Sequence, residues 1–219
     1  MLRFRTALFV CLVFLSAGKA DAVTIFAANL TNSQEPGIGP LTTSTGAPRP
    51  SSFGTAIFVL NDAQTALSFT ATIFNIDVTG TQTPDPNDNL QNAHIHCCAL
   101  PGSNAVAPGG VVWGFRGQPF NNTSPNDEID IPFSTGVGGT FSGTWNLPEG
   151  NIIGGVQHTL ASELPGIFAG LAYINFHTVQ FSGGEIRGQI FAASEPQSVS
   201  LLGVGLLVLG FVCRRRFRR

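Results

Sequence analysis

Lysine is almost missing from this 219-residue chain: Lys19 is the single one, and none occurs between residues 23 and 194. That stretch keeps three basic residues, Arg49, Arg116 and Arg187, against eleven carboxylates, a net charge of −8. The whole chain is only −2, because the other eight basic residues crowd its two ends. An acidic body of this kind excludes polyanionic partners, nucleic acid above all. Cysteine is scarce as well. Of four, Cys11 and Cys213 sit in the ends, so the body has Cys97 and Cys98 alone and no distant pair to staple it. Its stability must come from a packed core, which a body of this length can build. Also lacking are a G-x-S-x-G nucleophile turn, an H-E-x-x-H helix, a phosphate-binding glycine loop, an EF-hand pattern and any repeat of fixed period. Their absence removes the common hydrolase, zinc-protease and nucleotide-binding classes.

The ends read as addresses. Residues 1–22 have a basic start, an apolar run from Ala7 to Ala17, and Ala20-Asp21-Ala22, the features of a signal peptide cut after Ala22 by signal peptidase. The run is shorter than the roughly 20 apolar residues of a membrane span. At the other end, residues 199–213 form an apolar stretch at the lower limit for a transmembrane helix, closed by five arginines in 214–219. Arginines there stay cytoplasmic, which puts the body on the far side of the membrane. With Ser194-Glu195-Pro196 ahead of it, the tail (194–219) resembles the PEP-CTERM sorting signal of Gram-negative bacteria, with the first proline of that motif missing. The resemblance implies transient anchoring in the inner membrane, processing by an exosortase, and delivery to the cell surface or extracellular matrix.

Between the ends, residues 23–193 form one domain. Short apolar runs alternate with period two and are separated by Gly, Pro, Thr, Ser and Asn, which is a strand pattern. It predicts strands over 23–30, 54–60, 66–76, 93–98, 111–115, 139–147, 171–178 and 185–191. Leu67, Phe69, Ala71 and Ile73 fall on one face of the third, Ser68, Thr70 and Thr72 on the other. One short helix is expected within 155–170, where Val156, Leu160, Leu164 and Ile167 recur at helical spacing and Pro165 limits its length. The whole reads as an all-β, antiparallel, Greek-key-like β-sandwich with one short helix. Asp85, Asn87, Asp88 and Asn89 offer oxygen ligands to calcium, or simply build a turn.

Chemistry concentrates at A-H-I-H-C-C, residues 93–98. On a strand, His94, His96 and Cys98 share one face, and the small or apolar Ala93, Ile95 and Cys97 share the core face. The same alternation in L-A-Y-I-N-F-H-T puts Tyr173, Asn175 and His177 on the polar side of a second strand. If the strands are neighbours, His94, His96 and His177 converge, and neutral imidazoles suit copper or zinc. Cys98 or Glu185 can supply a fourth ligand. The competing reading makes the three histidines hydrogen-bonding pins between loops and sheet. Cys97 and Cys98 have three readings: free thiols, a disulfide between neighbours, or Cys98 as a soft metal ligand.

In order along the chain, Phe26-Ala27-Ala28-Asn29-Leu30, Gln34-Glu35-Pro36, Gly54-Thr55-Ala56, Ala93-His94-Ile95-His96, Tyr173 to Thr178 and Gly183-Gly184-Glu185-Ile186-Arg187-Gly188-Gln189-Ile190 resemble the CHRD domain, the module named after chordin. Cys97-Cys98 departs from the family's pattern, and 101–155 has no clear counterpart motif. The resemblance implies extracellular binding rather than catalysis, with Gly183-Gly184 as a turn, Glu185 and Arg187 sharing a face, and Arg187 tying Glu35 to the last strand. The histidine layout is also similar to the copper ligands of copper/zinc superoxide dismutase. The expected function is a non-enzymatic binding or structural role at the surface, toward an extracellular protein or polysaccharide. The alternative is a copper- or zinc-binding, redox-active domain.

Overall fold

The computed structural model describes residues 23–101, 103 and 110–193. The signal-peptide and sorting-tail readings, including the cut at Ala20–Ala22, the Ser194-Glu195-Pro196 motif and the span over 199–213, lie outside the described residues. Among the described residues no helix is long and apolar enough to cross a membrane.

Twelve strands and one α-helix are formed among the described residues. In chain order the strands are β1 (Thr24–Thr31), β2 (Phe53–Leu60), β3 (Ala66–Phe74), β4 (Leu90–His96), β5 (Val111–Arg116), β6 (Ile129–Pro132), β7 (Gly138–Asn146), β8 (Gly150–Ile153), β9 (Val156–Thr159), β10 (Tyr173–Thr178), β11 (Ile186–Gln189) and β12 (Phe191–Ala192), with helix α1 (Leu160–Phe168) before β10. The main sheet runs β5-β4-β10-β11-β1-β2-β3-β7-β6, with β12 also on β1; β8 and β9 make a separate hairpin. Every named pairing is antiparallel.

The sheet curls until its two halves face each other, and the apolar sequence pattern explains why. β1, β2 and β3 bury alternate residues, among them Phe26, Phe58, Leu60, Phe69 and Ile73, and leave the intervening ones to solvent. A face that apolar needs a partner, and the far half of the same sheet supplies it. Phe69 of β3 meets Phe115 of β5 with ring centroids 4.6 Å apart, and Phe141 of β7 meets Phe176 of β10 at 5.4 Å. Strands distant in the sheet order thus touch across one core. The architecture is an all-β sandwich closed by a curled sheet.

Two local readings need correction. The helix begins at Leu160, not near 155, because Gly154 and Gly155 adopt φ of 59° and 83° and turn the chain into the β8–β9 hairpin. Thr159 then caps α1 in a reciprocal pair with Ser162. The second is β6, a strand that the alternation does not predict. It is an exposed edge strand, and its Pro132 is tolerated there because an edge has no ladder bond to lose on its outer side. Asp85 caps the short turn Pro86–Asp88, accepting from Asn87 N at 3.4 Å, so that loop is a turn.

Candidate metal centre

On β10, on β11 and over residues 93–96 of β4 both faces are covered. The first face is core: Ala93, Ile95, Ile174, Phe176 and Ile186. The second is a polar layer set out by the register. His94 lies opposite Asn175 and His96 opposite Tyr173 across β4–β10, while Arg187 and Gln189 lie opposite Asn175 and Tyr173 across β10–β11. His177, opposite Asn92, completes the row. The three histidines are 3 %, 8 % and 6 % exposed in chain order, so the face the sequence marks as polar does not meet water.

Loops make the cover, and their backbone groups set the chemistry. His94 Nε2 is 2.9 Å from the carbonyl oxygen of Gln118. His177 Nδ1 is 2.8 Å from that of Ser182. A carbonyl oxygen only accepts, so each of these nitrogens carries its ring's proton. The remaining nitrogens, His94 Nδ1 and His177 Nε2, therefore present lone pairs, and they stand 3.2 Å apart. Asn175 Oδ1, another acceptor, is 3.1 Å from His177 Nε2. A proton at the centre would relieve the conflict, but burial holds the pKa of His177 below its ordinary value. Burial, helped by repulsion from His177 and His96, pushes that of His94 down to about 3. Two facing lone pairs in a site that disfavours protonation are a donor set a metal ion can take. Zinc–nitrogen bonds of about 2.0–2.1 Å in a tetrahedron space the nitrogens about 3.3 Å apart, close to the spacing of this pair. The third ring, His96, stacks flat on Tyr173 at 4.7 Å, and one ligand nitrogen from each histidine lies within 4.8 Å of the others.

The cover approaches closely because β5 carries glycine at 114. A Cβ there would run into the carbonyl oxygen of Pro119 and come within 3.1 Å of His94 Cδ2. Asn121 fixes the same loop by accepting from Gly114 N at 3.0 Å.

The proposed fourth ligands are elsewhere. Glu185 is fully buried but committed: it pairs with Arg49 at 2.5 Å and accepts from Thr178 Oγ1 at 2.6 Å and from Ser52. Cys98 is the neighbour-bonded partner of Cys97 in a disulfide, across a cis peptide bond, and groups with Glu163 rather than with the histidines. The strand ends at His96, so the alternation that would have aimed Cys98 with His94 stops before it. Arg187 does not clamp Glu35 by a direct ion pair. Its guanidinium lies 3.6 Å over the Tyr173 ring and donates to the Leu100 and Ser103 carbonyls and to Gln189. Its charge still acts on Glu35, which burial pushes up to about 7 against the pull of Arg187 and of a hydrogen bond from Asn175. Gly184, at φ 130°, lets the Glu35 carboxylate lie where a Cβ would be, and Gly183 makes the turn beside it.

Sequence reasoning missed the positioning groups. Asn175 was visible as a polar residue between Tyr173 and His177. The Gln118 and Ser182 contacts are backbone carbonyls, which leave no trace in residue type. Glu163 had a signal: it is a carboxylate inside the apolar stripe Leu160, Leu164, Ile167, and it is buried with them.

The fold and the site together define a curled, antiparallel all-β sandwich with a buried histidine triplet under its loops. The CHRD domain model matches residues 26–190, and the chain belongs to the CHRD domain family. No curated protein and no solved structure matches it.

Proposed function

We propose that this chain is an exported CHRD domain that holds one copper or zinc ion on His94, His96 and His177. The observation that carries the reading is the 3.2 Å approach of two ring nitrogens left without protons by their own carbonyl partners. Outer bonds of this kind are what fix the tautomer of metal-binding histidines. Three imidazoles suit copper or zinc and are poor ligands for calcium or magnesium. Among the described residues no further His, Cys, Asp or Glu groups with the three. A fourth position is then left to water or a small exchangeable ligand, the pattern of reactive rather than purely structural sites. With copper it is the position at which one-electron chemistry, superoxide included, would occur.

Export is supported by the signal-peptide features of residues 1–22, the sorting-type tail 194–219, the −8 charge of the body and the Cys97–Cys98 disulfide, which suits an oxidising compartment. On this reading signal peptidase and an exosortase process the ends, residues 199–213 anchor the precursor, and the domain works at the surface or in the matrix beside an extracellular protein or polysaccharide.

The test is elemental analysis of the full chain, purified without an affinity histidine tag and incubated with copper or zinc. One equivalent is expected, lost in His94→Ala and His177→Ala variants that keep their circular dichroism. No bound metal, or metal retained in both variants, overturns the reading.

A further inference from the structure

The segment that carries His94 and His96 runs straight into a second cluster. The sulfurs of Cys97 and Cys98 lie on α1 at Gly166, where a Cβ would collide with both. Glu163 is on the preceding turn of the same helix and only 7 % exposed. Its Oε1 is held by His158 at 2.8 Å and by Ser162 Oγ at 3.1 Å. Its Oε2 is left facing Cys98 Sγ at 4.0 Å. A buried carboxylate costs free energy unless both oxygens find partners, and a disulfide sulfur has no proton to donate. One ligand atom from each of Cys97, Cys98 and Glu163 lies within 4.8 Å of the others.

We infer that reduction of the Cys97–Cys98 bond opens a second cation site, built from the two thiolates and Glu163, for a soft, thiophilic ion such as copper(I), zinc or cadmium. Oxidised, the sulfurs are neutral and bonded to each other. A dithiol reductant delivers two electrons and two protons, leaves as its own disulfide, and converts them to two thiols. The metal ion then displaces both thiol protons to solvent, and the thiolates are strong ligands for it. Glu163 is already aimed, because His158 fixes its other oxygen in the manner of an outer-sphere partner. Glycine at 166 is what lets both sulfurs sit directly on the helix, within reach of Glu163. This site does not depend on the histidine triplet, but it shares the chain segment 94–98 with it.

Cadmium alone is the probe. The full chain is titrated with cadmium with and without prior treatment by a phosphine, which takes water oxygen and leaves as phosphine oxide while the disulfide becomes two thiols. The expected result is one additional equivalent of cadmium after reduction, together with the ultraviolet thiolate-to-cadmium charge-transfer band. Both should vanish in Cys98→Ser, whose side chain is exposed and tolerant, and affinity should fall about tenfold in Glu163→Gln, the loss of one charged ligand. Should Cys97→Ser misfold at its buried position, Cys98→Ser still decides. Equal uptake before and after reduction, or uptake without the sulfur band, overturns the inference. The band reports sulfur alone, so this outcome is separable from failure of the histidine site.

Discussion

The two halves of the curled sheet obey different rules. In β1, β2 and β3 every second residue is buried and the rest are open, so that Phe58 is fully buried while Ile57 beside it is 55 % exposed. In β10 and β11 no residue is open at all. The first half is a wall between core and water. The second is a wall between an apolar core and a polar layer covered by loops. Alternation of apolar and polar residues marks both in the same way, so the pattern alone cannot tell a wetted face from a covered one. What separates them is whether loops supply partners for the polar face: carbonyls from Gln118, Ser182, Ala99 and Leu100 do so here.

The comparison can be broken most severely on the core side common to both halves. Phe58→Ala should cost about 3–5 kcal/mol in urea unfolding, because a large side chain is removed from a close-packed site. Metal stoichiometry of the folded fraction should be unchanged. Next comes the polar layer itself. Asn175→Ala removes a neighbour of His177 and should weaken copper or zinc binding about 10–100-fold by competition titration, the range for loss of an outer-sphere partner. A third test uses pH. Glu35 is pushed up to about 7 in the folded chain from 4.5, so the folded state holds the proton more tightly and stability declines as pH rises through that window. His94 runs oppositely: its pKa falls from 6.5 to about 3, so stability is lost as pH drops from 6.5 toward 3. Between 4.5 and 6.5 the two slopes oppose each other. Glu35→Gln removes one of them, and its unfolding free energy should climb more steeply with pH than the parent's in that interval. An equal slope would show that Glu35 titrates normally. The smallest effect belongs to the wetted face: Thr70→Ala, exposed on β3, should stay within about 0.5 kcal/mol of the parent.

Much of this was legible in advance where period-two alternation met simple burial. β1, β2, β3 and β7 begin and end within two residues of the expected bounds, since each has one apolar face and turn residues at its ends. The gathering of His94, His96 and His177 followed from the same alternation once β4 and β10 proved to be neighbours, and that adjacency is a long-range fact that no local pattern contains. Local patterns failed where a turn changed the period. Two glycines made β9 from residues expected in the helix. An edge strand with a proline, β6, resembled loop. The commitments of Glu185 and Cys98 were hidden for a related reason: Arg49, the partner of Glu185, lies 136 residues away in an irregular segment.

The glycine at 114 shows where the cover of the histidines is written. The loop that closes over His94 gets its shape from Asn121 and its neighbours, but its permission to descend comes from the strand beneath it. A methyl group added at that one position would press on the Pro119 carbonyl, draw the neighbouring Gln118 carbonyl away from the His94 N–H it accepts from, and free the ring to turn over. The tautomer of His94, and with it the direction of its lone pair, is thus set by a hydrogen atom on another strand.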